Sequence, residues 1–248
     1  MGTRFLLFIS LVCLLFCASC TTTNKIAYFQ NAQDTAYKKT LTSIDAPFQK
    51  NDILTILISS ANAAASADFN KGDVAANKGY LINNDGNVEL PMLGDVKAAG
   101  LTKKQLKDNI TSMILQKKLL VDPLVEIRYL NFEITVLGEV GRPGVINVPS
   151  EQITLVKALS IAGDLTIYGR RENVLLIREE GGVRRTRHID LTRSDFLNSD
   201  YYYLKPNDLV YVEPNRTKIA VSGRSQQTIP LIFSSLTILF FVFDKVIK

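Results

Sequence analysis

Residues 132–148 read FEITVLGEVGRPGVINV, and the parsing of this run decides the fold. Phe132, Ile134 and Val136 alternate with Glu133 and Thr135, the two-residue period of a strand that buries one face. Gly138-Glu139-Val140-Gly141-Arg142-Pro143-Gly144 then turns the chain into Val145-Ile146-Asn147-Val148. A strand, a glycine-rich turn and a return strand mean that a new sheet starts here. Immediately upstream, Val125, Ile127 and Tyr129 alternate with Glu126 and Arg128, so an earlier unit closes on a strand of its own.

Working back from that strand, Thr102 and Gln105 form a capping box that opens a helix burying Leu106, Ile110, Met113 and Ile114. Before it, Tyr80-Leu81-Ile82 and Val88-Glu89-Leu90-Pro91 flank Asn83-Asn84-Asp85-Gly86-Asn87 and read as a hairpin. Residues 60–78, rich in Ala and Asn without a sustained period, read as a long loop after the strand Ile53-Leu54-Thr55-Ile56-Leu57-Ile58. Forward from residue 148, a short helix spans 155–162 between Thr154 and Gly163. A hairpin of 174–178 and 183–191 turns at Gly181-Gly182, and Leu209-Val210-Tyr211-Val212 closes the unit. The expected fold class is α+β: two small mixed domains, 48–130 and 132–214, each a curved sheet packed on one helix.

The ends of the chain set the compartment. Arg4, an apolar stretch over 5–16 and the small residues Ala18-Ser19 before Cys20 form a secretory signal peptide, residues 1–19. Its apolar core is shorter than the roughly 20 residues a membrane span needs, so removal is expected. The segment resembles a bacterial lipoprotein signal, which makes Cys20 the lipidation site, with plain secretion or an uncleaved anchor as the alternatives. Cys13, Cys17 and Cys20 are the only cysteines, so a mature chain starting at Cys20 has neither an internal disulfide nor a thiolate metal cluster. Residues 20–47 are a polar tether with aromatics, Tyr28, Phe29 and Tyr37, able to dock locally. The net charge of +5 on 248 residues does not by itself call for nucleic acid.

The opposite end carries PLIFSSLTILFFVFDK, residues 230–245. Sixteen residues of helix rise about 24 Å, matching the roughly 25 Å apolar band of outer-membrane barrels. A C-terminal transmembrane helix is therefore expected over 229–247. Ser234, Thr237 and Asp244 share one side of it, with Phe241 completing the stripe. Several copies in a ring could turn that stripe inward around water, which makes these three the candidate pore-lining residues; a simple anchor is the alternative.

Catalysis finds no support in the motifs. His188 is the only histidine, in the basic strand Val183-Arg184-Arg185-Thr186-Arg187-His188, and no zinc spacing, phosphate-cradling loop or nucleophile elbow is present. No catalytic, cofactor or metal residues are assigned. Arg184, Arg185 and Arg187 read as a wet hairpin face, and Tyr201-Tyr202-Tyr203 as packing, ahead of sugar contacts.

Taken in order, Asp85-Gly86-Asn87-Val88-Glu89-Leu90-Pro91-Met92-Leu93-Gly94-Asp95-Val96, Gly100-Leu101-Thr102, Asp122-Pro123-Leu124-Val125-Glu126-Ile127, the run 136–144, Ala158-Leu159-Ser160-Ile161-Ala162-Gly163 and Leu204-Lys205-Pro206-Asn207-Asp208-Leu209-Val210-Tyr211-Val212 resemble the bacterial polysaccharide export family of outer-membrane lipoproteins. Where that family usually has Gly-Asp, this chain has Asn51-Asp52 and Asn207-Asp208, and Asn is the side chain that best tolerates the left-handed region. The resemblance implies an export domain, one soluble ligand-binding β-grasp domain, and a homo-oligomer whose C-terminal helices form a barrel in the cell outer membrane. A polysaccharide would pass through it, the bulk of the chain would be periplasmic, and the implied partner is an inner-membrane polysaccharide co-polymerase or tyrosine kinase. A periplasmic sugar-binding or adaptor lipoprotein is the alternative.

Overall fold

The computed structural model describes residues 27–34, 46–71 and 79–222, with 234, 235 and 238. Their buried apolar side chains fall into two clusters that meet at Tyr129, which packs against both. The chain is mixed α+β, with several small sheets and few helices.

In the first cluster, β1 (Ile53–Ser59) lies between β2 (Tyr80–Leu81) and β5 (Leu124–Tyr129), antiparallel to both. Leu54, Ile56 and Ile58 of β1 are buried, as are Val125 and Ile127 of β5, so alternation in sequence has become one shared face. Asn62 caps α1 (Ala63–Ser66), which runs into a 3₁₀ turn (Ala67–Asn70) that buries Phe69. The long loop expected here is thus partly helical: a side chain that accepts from Ala64 and Ala65 nucleates an alanine run. Residues 72–78 of that loop lie outside the described residues. β3 (Asn87–Leu90) pairs with β4 (Gly94–Lys97), not with β2. The Asn83–Asn87 turn exists, with Asn83 N–H bonding Asn87 C=O at 2.9 Å, but the ladder continues through a tight turn at Met92, whose φ is 64°. α2 (Lys103–Gln116) opens on the expected capping box and buries Leu106, Ile110 and Ile114; Met113 is only half-buried.

The second cluster is built on β6 (Glu133–Gly138), β7 (Gly144–Asn147), β9 (Gly169–Glu180), β10 (Val183–Ile189) and β12 (Leu209–Pro214), after the short β8 (Ile153–Thr154) and β11 (Tyr203–Leu204), which pair with each other. The five strands run in the order β10-β9-β12-β6-β7, and only β12 and β6 are parallel. α3 (Leu155–Ile161), capped by Thr154, buries Leu155, Ala158 and Leu159 in the same core. Gly181 and Gly182 take φ of 59° and 77°, the left-handed pair that matches a two-residue turn to the twist of β9 and β10. α4 (Arg216–Ser222) follows β12 directly.

Two features of the second unit lie beyond the sequence pattern. A 3₁₀ turn (Asp195–Asn198) buries Phe196, and the tether docks on it. Phe29 stacks on Phe196 with centroids 5.8 Å apart, Phe29 N–H bonds Leu191 C=O at 3.2 Å, and Gln30 N–H bonds Thr192 C=O at 2.6 Å. No helix among the described residues is long and apolar enough to cross a membrane. The helix expected over 229–247 lies outside the described residues apart from Ser234, Ser235 and Ile238, which are helical and exposed.

Candidate functional site

Two turns of the same design face each other where the units meet. In Gln49-Lys50-Asn51-Asp52, Asn51 is left-handed at φ 71° and the buried Asp52 carboxylate accepts from Gln49 N–H at 2.7 Å. In Lys205-Pro206-Asn207-Asp208, Asn207 is left-handed at φ 65° and buried Asp208 accepts from Lys205 N–H at 2.8 Å. Asn thus substitutes for glycine at the strained position, and the aspartate closes the turn that launches a strand, β1 or β12.

Between the turns lies a cleft of about 760 Å³, walled by Phe48, Gln49, Asp52 and Tyr129 on one side and by Glu179, Glu180 and Lys205 on the other. Contacts in and beside the cleft hold the two units together. Gln49 donates its side-chain amide to Glu179 C=O at 3.0 Å. Glu151 accepts Tyr129 N–H at 2.6 Å and pairs with Lys103 at 2.6 Å, although its own backbone is left-handed at φ 55°. Tyr129 also packs between Phe48 and Phe132, at 5.0 and 6.0 Å.

The two aspartates differ in their partners. Arg178 forks onto Asp208 at 2.7 and 2.9 Å with both residues buried, and desolvation pushes the Asp208 carboxyl up while Arg178 pulls against it. The Asp52 carboxylate meets the neutral Tyr129 hydroxyl and the Gln49 N–H, with no cationic partner among the described residues, so burial pushes it up to about 6. Burial, reinforced by Asp52 and Glu151, drives the Tyr129 phenol far above its usual range.

Glu180 and Lys205 pair with each other, and Lys205 holds Glu180 below the usual carboxylate range. Both also wall a smaller hollow of about 180 Å³ with Arg178, Arg185, Asp200 and Tyr201. Arg178 and Arg187 lie 5.3 and 5.7 Å from the Tyr201 ring centroid. The arrangement suits a polyhydroxyl chain, which is held by planar charged groups and an aromatic face; it offers no nucleophile poised beside a base.

A model of the polysaccharide biosynthesis/export protein family matches residues 44–130, the first unit, and an SLBB domain model matches 134–187 in the second. Two relatives are described as EPS I polysaccharide export outer membrane protein EpsA. That of Ralstonia solanacearum is 30% identical over 150 residues, 58% of this chain and 39% of the relative. That of Ralstonia nicotianae is 29% identical over 157 residues, 61% of this chain and 40% of the relative. The chain belongs to the bacterial polysaccharide export protein family. It matches about two fifths of the length of those curated relatives.

Within this export-family chain the sequence-selected residues fare differently. Arg185 and Tyr201 are brought together in the small hollow and Arg187 stands over Tyr201, whereas Arg184 reaches back to Glu179 at 3.2 Å. Tyr202 and Tyr203 pack edge to face at 5.0 Å, as the packing reading expects. His188 is exposed on β10. Cys20, Thr237 and Asp244 lie outside the described residues, and Ser234 is helical and exposed. Sequence reasoning missed the cleft: Asn51-Asp52 and Asn207-Asp208 were legible as turns, but nothing local tells that Asn51 and Asp52 of the first turn and Lys205 and Pro206 of the second wall one cleft.

Proposed function

We propose that this chain is an outer-membrane subunit for export of a capsular or exopolysaccharide, acting by passage rather than by a covalent step. The observation that carries the reading is the order of matches: an export-family model over one core and an SLBB model over the next. Family members are transport components rather than enzymes, and the relatives' names place polysaccharide export at the outer membrane.

In this reading Cys20 carries the lipid, the two units stand in the periplasm, and residues 229–247 of several copies form a helical barrel. Ser234, Thr237 and Asp244 face its water, because a lone helix would expose that stripe to hydrocarbon. An inner-membrane co-polymerase or kinase feeds the chain.

Deleting residues 229–248 is expected to abolish surface polysaccharide while leaving the two units folded and tethered. Unchanged surface polysaccharide together with a monomeric detergent particle would rule the conduit out. The cleft favours a second reading, a periplasmic glycan-binding adaptor whose tail is only an anchor. A bulky label on Asp244→Cys separates the two: in a conduit the site is water-accessible and the label blocks export, and in an adaptor export continues.

A further inference from the structure

The β9–β10 hairpin carries a cross-strand pairing that costs stability. Arg185 stands directly opposite Arg178, and like charges in register repel. Arg187, two residues further along β10, shares their face. Three arginines on one side of a hairpin call for compensating charge, and the fold supplies it unevenly.

Arg178 is buried, forks onto Asp208 at 2.7 and 2.9 Å, and donates to Tyr203 C=O at 3.0 Å. Its charge is neutralised inside the fold. Lys205 pairs with Glu180. Arg185 lies 3.8 Å from the same carboxylate, beyond hydrogen-bond reach, because the closer cation already engages it. Arg187 has no ion pair among the described residues, and its guanidinium stands 5.7 Å from the Tyr201 ring centroid. With the close pairs set against each other, Arg185 and Arg187 remain in excess over the one other carboxylate of the hollow, Asp200.

The hollow they border, about 180 Å³, has room for one sugar ring. A guanidinium stacked on an aromatic ring is held in orientation while its N–H edge stays open to a carboxylate. Beneath, Arg178 is fixed from three sides and gives the hollow a rigid floor. Glu180 and Lys205 also wall the larger cleft, so a linear glycan can run from one space into the other across this ion pair. Beyond the pair the lining changes character. Gln49, Asn51, Asp52 and Glu179 are neutral or acidic, and Lys50 is the one cation of the cleft besides Lys205 among the described residues. Negative charge is therefore favoured at the hollow and not in the cleft.

We propose that the hollow is a subsite for an acidic sugar, a uronate unit of the polysaccharide, with neutral neighbours lying in the cleft. The uronate carboxylate accepts from the N–H edges of Arg185 and Arg187, Tyr201 holds Arg187 in place, and Asp200 accepts from a sugar hydroxyl. The assignment rests on the polysaccharide reading above and adds the class of sugar.

The test uses the full, processed chain in detergent, titrated calorimetrically with oligogalacturonate, with its methyl-esterified form and with inorganic phosphate. Oligogalacturonate is expected to bind roughly tenfold more tightly than the ester, through charge-assisted hydrogen bonds that the ester lacks. Arg187→Ala should erase that difference without moving the melting temperature, since Arg187 is exposed. Arg187→Lys keeps the charge but not the planar fork and should recover only part of it. Lys104→Ala, which removes an exposed cation of the first unit, should leave both affinities unchanged. Equal binding of the two oligomers, or an equal loss in Lys104→Ala, would overturn the subsite. Phosphate that displaces the oligomer at equal concentration would mean a general anion site and overturns it as well. The export reading has its own test in the deletion of residues 229–248. If that deletion abolishes surface polysaccharide and oligogalacturonate still fails to bind, export stands and the subsite falls; selective binding with surface polysaccharide unchanged gives the reverse.

Discussion

Two aspartates in matching turns are both pushed up by burial and differ in the partner each one faces. Asp52 sits at about 6 because burial penalises its charge, whereas an unfolded Asp titrates near 3.9. Between those values the folded state holds a proton that the unfolded state has lost, so stability falls as pH rises from about 4 to about 6 and then levels off. Asp52→Asn removes this slope. The melting temperature of the variant should gain on the parent across that window, by the equivalent of roughly 3 kcal/mol for a shift of about two pKa units. Parallel melting curves from pH 4 to 7 would contradict the burial assigned to Asp52. At Asp208 the partner is a charge, and Arg178→Ala strands a buried carboxylate at a cost of about 3–5 kcal/mol by urea denaturation. Arg178→Met with Asp208→Leu should cost less than the single change, since no lone charge remains. Asn51 and Asn207 were readable as left-handed residues from their type alone. The identity of the partner facing each aspartate was not, because Arg178 and Tyr129 come from strands distant in sequence.

Among elements, the period-two strands, the helices capped by Thr102 and Thr154 and the Gly181-Gly182 turn were all legible, since each is fixed by neighbours within a few residues. The pairing of β3 was misread. A turn-forming run at 83–87 predicts a hairpin with β2, but Met92 in the left-handed region permits a second reversal, and Val88 and Val96 then bury together. The glycines of the β6–β7 connection show the same limit: the sequence marks them equally, and the structure separates them. At Gly138, with φ at +92°, a Cβ would lie 2.1 Å from Val212 C=O across the parallel ladder; at Gly144 nothing lies within 4 Å. Gly138→Ala should therefore lose upwards of about 4 kcal/mol or fail to fold. Gly144→Ala should be close to neutral in the same thermal melts, and comparable losses at both positions would mean the close β6–β12 approach is not what the glycine serves.

For the whole molecule, the joint between units depends on Glu151, which reaches back to Lys103 and to Tyr129 N–H. Glu151→Ala should accelerate hydrogen exchange at the Tyr129 amide by about tenfold, the loss of one partly buried hydrogen bond worth about 1.4 kcal/mol, with the cores unchanged. Exchange that stays slow would assign the joint to the Phe48, Tyr129 and Phe132 stack instead. Sequence alone determined the periods, caps and turns, the order of two mixed α/β units and their family, because these rest on contacts between near neighbours. Only the tertiary structure decided that two Asn-Asp turns share one cleft and that the tether docks on the unit it does not adjoin in sequence. Those relations depend on long-range packing, in which residues over a hundred positions apart are chosen for each other by shape and charge, and no local pattern encodes them.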